Sequence, residues 1–209
     1  MESLRLGTVS RNGESRYHHW DVDGGHLDVS YSHYHLASRE PWIDRFLSAS
    51  GVELVLGGPY ARKLREARDP LLIALRYTSP RAAGAIQYVE RLVTRRIRDG
   101  GSATGWGERR TVLVIDRADL LGEPDVCRLA RLVRVGEPLG VSVVIFRAWV
   151  AGPMMEAVRN EMAIGHLRLG LLLRDRYSEE AAPNQRAAVY QPRRGRKVSF
   201  VLTHESQAP

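Results

Sequence analysis

The stretch Thr111–Leu121, TVLVIDRADLL, decides how the rest of the chain is read. Thr111 and the apolar run Val112 to Ile115 lead into Asp116, and a second acid follows at Asp119. An unbroken β-branched run of this kind predicts a strand buried on both faces, as in a parallel sheet. An acid at the C-terminal end of such a strand stands where open α/β sheets place their ligands. In phosphate-handling folds that acid holds Mg²⁺. The next position, where a second acid would polarise water, is Arg117.

The bulk properties suit a single soluble domain. The chain has 209 residues, 44% hydrophobic and 26% charged, enough for a sizeable core. No apolar run approaches the roughly 20 residues that span a bilayer, and MESLRLGTVSRNGESR contains no secretory h-region. Cytoplasmic residence without membrane insertion is therefore expected. The one cysteine, Cys127, rules out an internal disulfide or a cysteine metal cluster, and its apolar neighbours suggest a buried thiol. The net charge is +7 and comes almost wholly from arginine, since Lys63 and Lys197 are the only lysines. Arginine forks suit phosphates and carboxylates, so nucleic acid or an acidic protein face fits; a GC-rich genome would also leave an arginine excess.

Outward from the central strand, predicted strands and helices alternate. Residues 5–24 read as a β-hairpin turning at Arg11-Asn12-Gly13-Glu14. His18, His19, His33 and His35 match no compact zinc spacing, so no metal site is expected. A short strand at 26–29 leads through a polar, aromatic loop to a helix capped by Ser38, with Trp42, Ile43, Phe46 and Leu47 on one face. Strands are expected at 52–56, 71–77, 141–146 and 164–173. Helices are expected from Ser79-Pro80 to Arg98, at 125–135 and at 154–162, with a last hairpin turning at 192–195. Gly100 to Gly107 is a loop too short to divide domains. The pattern predicts an α/β fold with a mostly parallel sheet: an N-terminal hairpin (1–25), an α/β core (26–175) and a C-terminal hairpin and tail (176–209).

The order of these pieces resembles the FtsK/SpoIIIE motor domains, RecA-like P-loop ATPases that include DNA translocases, conjugation motors and the EccC-type motors of type VII secretion. The family's phosphate loop reads H-L-L-V-A-G-x-T-G-S-G-K-S, and residues 26–38 fall into that frame without a gap. His26, Leu27, Val29 and Ser38 agree; Tyr31, Tyr34 and Leu36 replace loop glycines, and Ala37 stands at the lysine. Residues 52–59 resemble the strand ending in I-D-P, with Gly58 in the place of the acid. Glu90 to Arg98 is similar to E-M-x-R-R, Val112 to Asp116 to Walker B, Gly140 to Ile145 to G-I-H-L-V-L, and Val158-Arg159-Asn160 to the segment carrying an asparagine before the next strand. The similarity runs from about residue 5 to 203.

The departures point away from catalysis. A P-loop needs glycines for backbone approach to phosphate and a lysine for the β and γ phosphates. Loss of one such donor removes several kcal/mol of transition-state stabilisation. Arg117 would also compete with Mg²⁺ for a carboxylate. The resemblance therefore implies a catalytically inactive FtsK/SpoIIIE-like pseudo-ATPase, no nucleotide cofactor, and a degenerate site formed by Tyr31, Tyr34, Leu36, Ala37, Ser38, Asp116 and Arg117. Asp116 is expected to pair with Arg117 or another arginine. Such a chain would act as an interaction or regulatory subunit beside an active ATPase of the same type or its own copies, with Arg147 or Arg159 as a candidate arginine finger or partner contact. The alternative is a basic nucleic-acid-binding protein that uses Arg91, Arg95, Arg96, Arg98, Arg193, Arg194 and Arg196 on DNA. An enzyme of another kind, pairing Asp116 with a histidine, finds no nucleophile elbow or carboxylate pair in the sequence.

Overall fold

A computed structural model describes residues 3–11, 14–21, 26–31, 39–48, 51–100, 109–148, 165–169, 186–191 and 198–202. The strands are β1 (Ser3–Arg11), β2 (Glu14–Asp21), β3 (Leu27–Tyr31), β4 (Glu53–Gly57), β5 (Leu75–Ser79), β6 (Thr111–Asp116), β7 (Val141–Ala148), β8 (Gly165–Leu169), β9 (Arg186–Gln191) and β10 (Val198–Leu202). The helices are α1 (Glu40–Leu47), α2 (Pro59–Ala67), α3 (Leu71–Ala74), α4 (Ala82–Arg98) and α5 (Glu123–Gly136).

All ten strands form one sheet in the order β2-β1-β10-β9-β8-β3-β7-β6-β4-β5. The pairings from β8 to β5 are parallel, and those from β8 to β2 are antiparallel. The expected terminal hairpins thus add their strands to one edge of the parallel core.

The central strand shows why an apolar run without alternation is required. Val112 and Val114 point into the layer under α1 and α2, with Ile43, Phe46, Leu56 and Leu64. Leu113 and Ile115 point the other way, into the layer under α4 and α5, with Ile86, Val89, Leu129 and Val133. Successive side chains leave a strand on opposite faces, so a strand covered by helices on both sides is apolar at most positions, and any polar residue in it must be paired. β6 and β7 are buried throughout. On the α1 side, Phe46 meets Phe146 edge to face, with ring centroids 5.8 Å apart.

Three expectations need correction. Residues 71–77 are not one strand: Leu71–Ala74 is a helical turn, and the strand is Leu75–Ser79. The Asp69 carboxylate accepts the Leu71 N–H at 2.9 Å, and Pro70 lies in the helical region, so the Asp-Pro pair starts a turn before the strand can begin. Helix α4 opens at Ala82, while the Ser79 hydroxyl accepts the Arg81 N–H at the strand's end. Cys127 is exposed, because the α5 positions that face the sheet are Val126, Leu129, Leu132 and Val133. The helix expected at 154–162 lies outside the described residues. Among the described residues no helix is long and apolar enough to cross a membrane.

Candidate functional site

The C-terminal ends of β3, β7, β6 and β4 bring Tyr31, Ala148, Asp116 and Gly57-Gly58 to one edge of the core. Asp116 is the centre and is fully buried. Its Oδ1 accepts Arg39 Nε at 2.7 Å, and its Oδ2 accepts Arg39 Nη2 at 3.4 Å and the backbone N–H of Tyr60 at 2.8 Å. The carboxylate thereby ties α1 to β6 through Arg39, the residue just before the helix. It also ties α2 to β6 by accepting an N–H from that helix's first turn, where N–H groups lack intrahelical partners. Burial is the largest influence on Arg39 and works against its charge, but the bond to Asp116 and the surrounding negative charges together outweigh it, so the guanidinium pKa is raised.

Asp116 was expected to pair with Arg117 or another arginine; the partner is Arg39, and Arg117 turns elsewhere. Arg117 adopts the left-handed conformation, φ 62°, and its Nη2 lies 2.8 Å from Asp119 Oδ2. Asp119 Oδ1 in turn accepts the Ala148 N–H at 3.2 Å. The second acid of the opening stretch therefore fixes the end of the neighbouring strand.

Tyr31 ends β3 with its side chain fully buried, its ring 5.8 Å from the Arg39 guanidinium carbon. Its phenol pKa is raised, chiefly by burial and next by Asp119, so the hydroxyl stays neutral. Behind α1, the Tyr60 hydroxyl donates to Asp44 Oδ1 at 2.6 Å, and Lys63 Nζ meets Glu40 Oε2 at 2.5 Å. Helices α1 and α2 are thus joined to each other as well as to Asp116.

Gly58 permits this closeness. It lies at φ 120°, and a Cβ there would fall 2.2 Å from the Asp116 carbonyl oxygen. Backbone strain and overpacking are each worth about 1–3 kcal/mol. Gly58→Ala is therefore expected to lower the unfolding free energy by about 2–5 kcal/mol in a urea titration. A change under about 0.5 kcal/mol, the surface norm, would contradict the contact.

The other candidates separate clearly. Arg147 is internal: it is 2% exposed, and its Nε and Nη2 meet Asp28 Oδ1 and Oδ2 at 2.9 and 3.0 Å. On α4, Arg91, Arg95 and Arg98 are exposed. Arg96 is turned inward, with Nη1 donating to the Leu139 carbonyl at 2.8 Å and Nη2 to Thr111 Oγ1 at 3.2 Å; it fastens α4 to the starts of β6 and β7. Tyr34, Leu36, Ala37, Ser38, Arg159, Arg193, Arg194 and Arg196 lie outside the described residues, as do His33 and His35. The sequence reading missed Arg39, Tyr60 and Asp28. Only Asp28 carried a signal, as an acid inside an otherwise apolar strand, which calls for a buried cation.

No family model and no curated protein matches the chain. Solved structures do. The cytoplasmic domain of the Thermomonospora curvata type VII secretion ATPase EccC matches with TM-score 0.68 at 12% identity, over 98% of this chain and 26% of that one. The pCW3 conjugation coupling protein TcpA, in monomer form with ATPγS, matches with TM-score 0.60 at 12% identity, over 93% of this chain and 65% of that one. A KaiC-like protein from Pyrococcus horikoshii matches with TM-score 0.51 at 14% identity, over 86% of this chain and 88% of that one. The fold is RecA-like. It is the fold of FtsK/SpoIIIE-type motor ATPase domains, as the ordered motifs implied. This RecA-like domain spans about a quarter of the EccC chain and two thirds of the TcpA chain. In its sheet, β7 lies between β3, which ends at Tyr31, and β6, which ends at Asp116. Tyr31, Arg39 and Asp116 gather at the C-terminal ends of those two strands.

Proposed function

We propose that this chain is a catalytically inactive FtsK/SpoIIIE-like pseudo-ATPase, acting in the cytoplasm as an interaction or regulatory subunit of a motor-type assembly for DNA transfer or protein secretion. One observation carries the reading: both oxygens of Asp116 are engaged, by Arg39 and by the Tyr60 N–H. A carboxylate in that state is a poor Mg²⁺ ligand, because the cation would have to displace a charge-assisted bond in a buried setting. Tyr31 adds a neutral phenol beside the same guanidinium. Together with Ala37 at the lysine position, this donor set does not fit a magnesium nucleotide.

The test is nucleotide binding and hydrolysis by the purified chain. With ATP and Mg²⁺ in excess, hydrolysis is expected to stay at the level of a protein-free control. Turnover above that control that disappears in Asp116→Asn would overturn the proposal.

The alternative is nucleic-acid binding on an ATPase-derived scaffold, favoured by the exposure of Arg91, Arg95 and Arg98 along α4. The inward turn of Arg96 removes one member of that set. Duplex DNA titrated at rising salt distinguishes the two readings, since phosphate contacts weaken steeply with salt.

A further inference from the structure

The parallel core ends at β5, and among the described residues no strand pairs with its outer side. An edge strand presents unpaired N–H and C=O groups, a template on which another chain can add a strand. Two features close this edge. The first is a bulge. Leu54 stands opposite Leu75 and Val55 opposite Tyr77, so Arg76 is an extra residue that interrupts the pairing positions. Leu75 accordingly packs on the α1 side of the sheet and Tyr77 on the α4 side, although residues two apart in a regular strand share a face. The second feature is Arg65. The Ser79 carbonyl turns toward β4, where it accepts the Gly58 N–H at 3.0 Å. Successive residues of a strand bond to opposite neighbours, so the carbonyl and N–H of Thr78 face outward. Arg65 reaches from α2 to that position. Its Nε donates to Thr78 Oγ1 at 2.8 Å, and its Nη2 donates to the Thr78 carbonyl and to the same hydroxyl. A carbonyl that already holds a charge-assisted bond is withdrawn from strand pairing.

We propose that Arg65 is a guard that keeps the β5 edge from pairing with β5 of a second copy of this chain. The second copy is the occupant to be excluded, because a strand edge fits its own two-fold copy without further adaptation, the outward N–H of each meeting a carbonyl of the other. Charge adds to the exclusion. Arg65 and Arg76 are both exposed, so the arginines of one edge would lie beside those of the other, and like charges facing across a strand pair are unfavourable. The inference goes beyond the pseudo-ATPase reading and holds whether or not the chain hydrolyses ATP.

Sedimentation velocity of the full chain and its variants, across a range of concentrations, tests this. Arg65→Ala is expected to raise the self-association constant at least about tenfold over the parent, since one bonded carbonyl is released on each chain. Arg65→Glu is expected to raise it further, because its carboxylate cannot donate to Thr78 and would face Arg76 of the other copy. Arg65→Lys keeps a donor and a positive charge, and is expected to stay within about threefold of the parent. Adding Thr78→Pro to Arg65→Ala removes the outward N–H and leaves the ladder to β4 intact, so it is expected to restore the parent's sedimentation. In the associated Arg65→Ala form the Thr78 N–H is expected to gain protection from hydrogen exchange, and far-ultraviolet circular dichroism is expected to match the parent. An Arg65→Ala chain that sediments as the parent does would overturn the inference and leave Arg65 a plain tie between α2 and β5. Association with unchanged exchange at Thr78, association that survives Thr78→Pro, or association with lost helical signal would overturn it too, by placing the contact on another surface or in an unfolded chain.

Discussion

Asp116→Ala is expected to lower the unfolding free energy by about 3–5 kcal/mol, the usual cost of removing one partner from a buried ion pair. Arg39 would keep its charge at 11% side-chain exposure, and the first turn of α2 would lose the acceptor for its Tyr60 N–H. The sign of this effect separates the two roles that the residue could have. An acid held ready for a metal is often a stability liability, and its removal tends to be neutral or favourable. An acid that ties two helices to a strand is missed at once. Asp116→Asn keeps an oxygen for Tyr60 but gives Arg39 no countercharge, so a smaller loss of about 1.5–3 kcal/mol is expected. The joint replacement Arg39→Met with Asp116→Leu is expected to recover most of the loss, since apolar groups of similar volume often replace a buried pair without penalty. Urea denaturation of the three variants measures all of this. An Asp116→Ala protein as stable as the parent would return Asp116 to the role of a poised ligand.

The second large effect belongs to Arg147. Arg147→Ala is also expected to cost about 3–5 kcal/mol, because Asp28 would be left charged at 3% exposure. Arg147→Lys is expected to recover only part of this. An ammonium does not reproduce the two parallel bonds of 2.9 and 3.0 Å that the guanidinium makes. Arg91→Ala is the control: exposed on α4, it is expected to stay within about 0.5 kcal/mol of the parent. If Arg147→Ala melts with the parent while weakening a protein complex, Arg147 is a partner contact and not an internal tie.

The two ion pairs show where the reading of the chain was strong and where it stopped. The frame of the phosphate loop placed Ser38 at the start of a helix and Asp116 at the end of a strand, and both elements are present. It did not show that Arg39 reaches Asp116. The two are 77 positions apart, and no local pattern announces a contact that only the sheet order creates. Arg117 was the nearer choice along the chain. Its own backbone defeats that choice: in the left-handed conformation the side chain leads toward Asp119, two residues on. Arg147 likewise looked available in the sequence. The parallel register of β3 on β7, with Ser30 opposite Arg147, puts Asp28 on the same face of the sheet two residues earlier. Exposed as a free-standing arginine in one dimension, it is a buried pair in three.

What the sequence determined alone is the framework. Apolar runs at β6 and β7 require cover on both faces, so helices must pack above and below a parallel core, and hairpins are expected at the two ends of the chain. These follow from the two-residue period of strands, the longer period of helices and the expense of leaving apolar surface wet. What only the tertiary structure decided is the use of each charge. Asp116, Asp119, Asp28, Arg39, Arg96 and Arg147 are all spent on internal bonds, while Arg91 and Arg131 remain on the surface. Burial sets that division: a charge taken from water must find its partner inside, and which partner lies within reach is settled by strand order and register.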